Sequence, residues 1–266
     1  MAINKYSAEQ VFLEGPQSRS WEFIFTLKVL FEFIKGFRKF HFLGPCATVF
    51  GSARFTESHP YYEKAREMGA KLAKLGFTVM TGGGPGIMEA ANRGAKEGGG
   101  YSVGCNIVLP MEQQPNKYLD KWVKINYFFV RKVLLSKYSY AFIVMPGGYG
   151  TLDEFFEALT LIQTNKIKHF PIVLFGKEYH KELGEHLDKM KSSETISEKD
   201  LKLFLFTDNV EEAARHIELH AIKAFDLRKK KTIKPIKVLG EKCEKCVDND
   251  CNCEGKSALA IQLSAT

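Results

Sequence analysis

From Ile143 to Glu154 the chain reads Ile-Val-Met-Pro-Gly-Gly-Tyr-Gly-Thr-Leu-Asp-Glu. A short apolar run ends in a glycine-rich turn that opens an amphipathic helix, so backbone N–H groups at the positive end of a helix face whatever sits above the strand. The chemistry on offer is anion binding with a carboxylate alongside. A second glycine cluster, Gly82-Gly83-Gly84-Pro85-Gly86, follows the apolar run Phe77-Thr78-Val79-Met80. Glycine lets the backbone approach an anion and take positive φ, so two such loops converging on one crevice make a cradle for a phosphate and its sugar. A structural reading competes for the first loop. Thr151 and Glu154 have the Ser/Thr-x-x-Glu spacing of a capping box, which would use both side chains to close the helix.

Arg131 is the cation to weigh against that carboxylate. On a helix from Tyr127 to Tyr138 it shares a stripe with Phe128, Leu134, Leu135 and Tyr138, which turns its guanidinium toward the sheet. A partly buried arginine needs an anionic partner. That partner is either a carboxylate of the protein, Asp153 or Glu154, or a bound nucleotide; Lys132 is expected to point elsewhere, toward solvent. Neither glycine loop matches the dinucleotide fingerprint, because the first turn carries only Gly51-Ser52 and the second strand ends near Thr81 without an acidic residue. The P-loop pattern is absent as well, which disfavours NAD binding and ATP hydrolysis alike.

Strands and helices alternate through the region that carries these residues. Ala47–Phe50, Phe77–Met80, Tyr101–Val108, Trp122–Ile125, Tyr140–Met145, Phe170–Phe175 and Leu203–Phe206 read as strands. Helices are expected over Pro60–Leu75, Ile87–Glu97, Tyr127–Tyr138, to about Thr164 after the Pro-Gly-Gly turn, after Gly176, and from Asp208 to about Phe225. Alternation of this kind predicts an α/β fold: a Rossmann-like, doubly wound, mostly parallel sheet with helices on both faces. Such sheets bind ligands at the carboxyl ends of their strands, where both glycine loops lie.

The organisation expected is an N-terminal extension over residues 1–45, a nucleotide-binding catalytic unit over 46–226 and a basic, cysteine-rich tail over 227–266. Residues 1 to about 18 are polar and expected to be loose. From Trp21 to Phe40 the stripe Phe23, Leu27, Leu30, Ile34 and Phe37 is helical, and Phe25, Phe31 and Phe33 widen it. A helix apolar on most sides calls for a subunit partner first and a membrane surface second, with burial against the main domain as the plain alternative. Six charged residues between Trp21 and Phe40 argue against a membrane span.

With 266 residues, 45% of them hydrophobic, the chain can bury one large core. Its net charge of +7 is concentrated in part from Arg228 to Lys237, where a solvated tail is the simplest reading and a nucleic-acid contact is not expected. No apolar segment follows a basic start, so no secretory signal is read and the cytoplasm is the default compartment. Cys46 and Cys105 stand alone in or beside strands as small core residues. Cys243, Cys246, Cys251 and Cys253 could supply four thiolates to zinc, although zinc pairs ordinarily stand further apart; a flexible or redox-active tail is the alternative.

The Gly82–Ala90 segment, the pair Arg131-Lys132 and the run Pro146–Glu154 together resemble the Lonely Guy family of nucleoside 5′-monophosphate phosphoribohydrolases, over roughly residues 46 to 226. The three motifs stand in the family's order, and many members carry a "lysine decarboxylase" label that the family's chemistry does not support. The resemblance implies hydrolysis of an N-glycosidic bond to free base and ribose 5-phosphate, with Arg131 and Glu154 as the catalytic pair and no metal or organic cofactor. Gly147, Gly148, Gly150 and Thr151 would hold the 5′-phosphate. Gly82, Gly83, Gly84 and Gly86 would hold the other flank, joined in the substrate-binding set by Gly51, Ser52, Lys132 and Glu112. A homodimer with its site near the subunit boundary is implied too. The chain departs from the plant enzymes in carrying Phe-Phe-Val before Arg131 in place of Met-His, which bears on a cytokinin substrate more than on the reaction; AMP or another ordinary nucleotide is the other expectation. Two further readings differ in class: a nucleotide or phosphorylated-cofactor sensor or carrier without chemistry, and a pyridoxal-phosphate decarboxylase, which would require a lysine Schiff base.

Overall fold

The computed structural model describes residues 8–109, 114–168, 170–223 and 227. Glu112, the basic run from Arg228 to Lys237 and the cluster at Cys243, Cys246, Cys251 and Cys253 lie outside the described residues.

Seven apolar segments pair into one sheet: β1 (Cys46–Phe50), β2 (Thr78–Thr81), β3 (Ser102–Ile107), β4 (Lys121–Ile125), β5 (Ser139–Val144), β6 (Ile172–Phe175) and β7 (Phe204–Thr207). Their spatial order is β4-β3-β2-β1-β5-β6-β7, and every neighbouring pair is parallel. The chain steps outward from β1 to β4, then returns to lay β5 on the other side of β1. The order therefore reverses between β1 and β5, and a crevice opens at the carboxyl ends of strands beside such a reversal.

A parallel sheet has both faces covered, so its strands are apolar on both sides. Ala47 and Val49 join the core under α3 (Pro60–Lys74), α4 (Ile87–Glu97) and α8 (Val210–Ile217). Cys46 and Phe50, of opposite parity, join the core under α2 (Arg19–Phe40), α5 (Phe128–Tyr138) and α6 (Tyr149–Gln163). Helix α7 (Lys181–Ser192) adds Leu183 to the same side. This is the doubly wound α/β arrangement expected, parallel throughout among the described strands. Fully buried side chains such as Met68, Leu72, Leu134 and Phe155 each contribute roughly 1.5–3 kcal/mol. Helix α4 reaches its place because α3 crosses it at glycines: a Cβ on Gly94 would lie 1.8 Å from the Arg66 carbonyl oxygen. Cys46 and Cys105 are buried core residues, and burial pushes the Cys105 thiol up to about 12.

The N-terminal segment departs from expectation. Ala8–Leu13 is a short helix, α1, rather than the loose segment its polar composition predicts. Aromatic stacking holds it, with Phe12 4.3 Å from Phe25 and 6.4 Å from Trp21, and Glu9 accepts a hydrogen bond from the Phe128 N–H. In α2 the face turned inward is Phe25, Glu32, Gly36 and Phe40. Glu32 is buried because its carboxylate accepts both the backbone and side-chain N–H groups of Asn126. The periodic stripe from Phe23 to Phe37 faces outward instead, so burial against the main domain does not account for it. No helix among the described residues is long and apolar enough to cross a membrane.

Candidate active site

Gly51 and Ser52, directly after β1, tie the two glycine loops together. The Ser52 N–H donates to the Pro146 carbonyl at 2.9 Å, and the Ser52 carbonyl accepts from the Ile87 N–H at 2.9 Å. This close junction leaves no room for side chains: a Cβ on Gly51 would lie 2.4 Å from Ile87 Cγ2, and one on Gly86 2.4 Å from the Ser52 oxygen. Both loops thus converge on the crevice beside the strand-order reversal. A third support comes from the segment after β6, where Tyr179 donates its hydroxyl hydrogen to the Gly147 carbonyl at 2.9 Å.

The Pro-Gly-Gly turn opens α6 with Gly148 as N-cap and Tyr149 as the first helical residue. The helix therefore begins two residues before Thr151, no side chain caps it, and the capping box does not form. Thr151 packs its hydroxyl over Gly147, where a Cβ would lie 2.2 Å from Oγ1. Gly148 and Gly150 are both exposed, and a Cβ on either would meet nothing within 4 Å. One turn into the helix, Glu154 is freed from capping and turns inward, 5% exposed. Burial raises its pKa to about 7, against the opposing pull of Arg131 and Lys132.

Arg131 is positioned by the sheet's own geometry. Just before β3 the Tyr101 carbonyl accepts from Val79 of β2, whereas the carbonyl of Ser102, the first residue of β3, accepts from Asp120 before β4. Carbonyls of β3 therefore alternate between its two neighbours. Cys105 has the parity of Tyr101 and faces β2, but β2 has already ended at Thr81, opposite Gly104. Arg131 Nε takes the vacant acceptor at 2.9 Å. Its guanidinium then lies against Gly82, where a Cβ would stand 2.3 Å from one terminal nitrogen. Among the described residues no carboxylate lies within ion-pair distance of Arg131, so the internal pair with Asp153 or Glu154 is not made. Asp153 pairs with Lys132 at 2.9 Å, and Glu157 pairs with it at 2.7 Å. Lys132 is thereby drawn onto α6, its side chain 18% exposed, rather than into solvent as expected.

Polar residues without any motif support the triple-glycine loop. The Gly83 N–H donates to Thr81 Oγ1, the Thr81 hydroxyl donates to Asn92 Oδ1, and Asn92 Nδ2 donates to Ser102 Oγ. Asn116 Nδ2 donates to Asn92 Oδ1 and to the Gly84 carbonyl. Thr81, Asn92 and Ser102 are fully buried, and this network fixes the positive φ of Gly83, +74°. Asn92 is detectable in principle as a lone polar residue on the apolar stripe of Ala91 and Ala95. Among the described residues no group of three or more His, Cys, Asp or Glu side chains could hold a metal ion.

Comparison with known proteins gives the following similarities. A family model described as "Possible lysine decarboxylase" matches residues 88–217. A probable cytokinin riboside 5′-monophosphate phosphoribohydrolase of Oryza sativa subsp. japonica is 35% identical over 133 residues, 48% of this chain and 53% of that protein; the chain thus spans about half of its length. A cytokinin riboside 5′-monophosphate phosphoribohydrolase of Arabidopsis thaliana is 31% identical over 64% of this chain and 74% of that protein. One from Mycobacterium tuberculosis is 32% identical over 58% and 83%. Among solved structures, the molybdenum cofactor binding protein of Rippkaea orientalis is 24% identical over 69% of this chain and 98% of that chain, with a TM-score of 0.49. With two such relatives above 30% identity and matched over about three quarters or more of their length, the chain belongs to the Lonely Guy family.

Proposed function

We propose that the protein hydrolyses the N-glycosidic bond of a nucleoside 5′-monophosphate, of the AMP or cytokinin riboside monophosphate type, to free base and ribose 5-phosphate. The observation that carries this reading is Glu154, a buried carboxylate released from capping at a glycine-rich helix start and facing the field of Arg131. Cleavage of a glycosidic bond builds positive charge on the sugar, and a fixed carboxylate in a water-poor site stabilises that charge and orients or deprotonates the attacking water. Arg131, held at Nε by Cys105, turns its remaining donors to the substrate. Gly147, Gly148, Gly150 and Thr151 take the 5′-phosphate at the start of α6. Gly51, Ser52 and the Gly82–Gly86 loop line the other flank. Lys132 contributes through its hold on α6, and the names of the family relatives support the reaction class. The protein acts in the cytoplasm as a homodimer in this reading, and no cofactor enters the reaction.

The test is chromatography of AMP, CMP, GMP, UMP and N6-prenyl adenosine monophosphate after incubation with the protein. Free base together with ribose 5-phosphate is the expected result, and the base released names the substrate. Saturable nucleotide binding without any product would overturn the reading in favour of a carrier or sensor.

Gly150→Ala tests the phosphate cradle by itself. Since nothing of the protein occupies the space beside Gly150 and the residue is helical, the substitution should raise stability by up to about 1 kcal/mol. If a phosphate fills that space, KM rises by about ten-fold or more, the equivalent of losing one charge-assisted contact. Thermal melting and initial rates read the two effects, and an unchanged KM would remove Gly150 from the cradle.

A further inference from the structure

Helix α2 is pinned on one side and bare on the other. Its inner side is held by Glu32 on Asn126, by Lys35 Nζ on the Lys124 carbonyl at 2.6 Å, and by Gly36, which lets Leu134 approach. The opposite side presents Phe23 (65% exposed), Leu27, Leu30 (51%), Ile34 and Phe37. These five recur at spacings of four, three, four and three, the alternation that places knobs of one helix into holes of another. Ile24 and Phe31 flank the seam and are more than half exposed. On the adjoining helix α5, Phe128, Phe129 and Val133 are each 40–47% exposed.

At the size of these side chains the uncovered apolar surface is on the order of 800 Å². That exceeds the few hundred Å² at which exposed patches on a monomer begin to need an explanation, and it equals the roughly 800 Å² per partner of a standard interface. A lipid surface needs only apolar area, with no register along it. A regular seam of alternating three and four spacings is what a second helix requires, and a two-fold axis supplies that helix from an identical chain.

We propose that the Phe23–Phe37 seam of α2 is the surface on which a second copy of this chain docks, α2 against the partner's α2, with Leu30 at the two-fold axis. The proposal takes from the proposed function only that two copies pair. It is independent of the hydrolysis, which base release by the wild type reads separately.

Light scattering on the full chain at micromolar concentration is expected to give twice the 30.1 kDa chain mass. Leu30→Glu and Leu30→Lys are each expected to raise the dissociation constant by about a hundred-fold or more, since each sets two like charges against one another in an apolar seam. Leu30 is half exposed in the single chain, so both variants keep the far-ultraviolet circular dichroism and melting temperature of a folded domain. Mixed in equal amounts, the two variants are expected to recover the dimer, because opposite charges then meet at the axis. A wild-type monomer overturns the proposal, whether anionic vesicles or residues 228–266 then prove to cover the face. So does a dimer that survives Leu30→Glu, or a mixture of the two variants that stays monomeric.

Discussion

Glu154→Gln is expected to cut base release by about a thousand-fold or more while leaving nucleotide affinity within a few-fold. The amide keeps the shape and burial of the side chain but carries no charge to set against the developing positive sugar. A second consequence follows from the pKa of Glu154, which burial raises to about 7 from an ordinary 4.5, against the pull of Arg131 and Lys132. The working form is the carboxylate, so kcat/KM of the wild type should rise ten-fold per pH unit below about pH 7 and level off above it. The effect on stability has the opposite sense. Between pH 4.5 and about 7 the folded state holds a proton that the unfolded state has lost, so stability falls as pH rises through that window. The loss amounts to about 3 kcal/mol at most. Glu154→Gln removes it, so the variant should melt higher than wild type at pH 8 and match it near pH 4. Melting curves at the two pH values, paired with initial rates, separate a catalytic carboxylate from a structural one. Equal melting at pH 8 with retained activity would contradict both the burial cost and the catalytic role.

A carboxylate held at such a cost depends on neighbours that sequence patterns do not display. The glycine loops and the alternation of strands and helices are legible in the sequence, because each rests on a local pattern: turn chemistry or period. What holds them in place is not. The anchor of Arg131 is the Cys105 carbonyl, a backbone atom free only because β2 stops at Thr81 while β3 runs on. Such an acceptor has no residue type to read. Thr81, Asn92, Ser102 and Asn116 come from separate segments and meet only when the sheet forms. Helix α1 leaves no signal because six residues cannot sustain a helix alone, and its support is tertiary, from Trp21, Phe25 and Phe128. The capping-box spacing of Thr151 and Glu154 is a true pattern with a different outcome: the helix starts at Tyr149, so both side chains fall past the cap. On α2 the helical period is plain in the sequence, but period alone does not say which of two apolar faces turns inward. Glu32 and Gly36 decide it, one by binding Asn126 and the other by admitting Leu134.

The placement of Arg131 gives the second large expected effect, and it is made from a glycine. Gly82→Ala would set a methyl group 2.3 Å from a terminal nitrogen of Arg131 and 2.7 Å from Met88 Sδ. Both obstacles are ends of flexible side chains, and Gly82 is not among the glycines with positive φ, so the backbone is not strained and the fold should survive with a melting temperature near that of wild type. The guanidinium must nevertheless move by about an ångström or more. A displacement of that size in a positioned group costs on the order of a hundred-fold in rate. Arg131→Ala is expected to lose at least as much, and Arg131→Lys should not restore it, because lysine has no Nε to hold the Cys105 carbonyl while presenting a planar fork to the substrate. Combining Gly82→Ala with Arg131→Ala should then cost little more than Arg131→Ala alone, since the methyl group acts only by moving a side chain that is no longer there. Rates of base release for the two single variants and the double variant close that cycle. Additive losses would mean that Gly82 serves the substrate directly, through its backbone, and that Arg131 is placed by Cys105 alone.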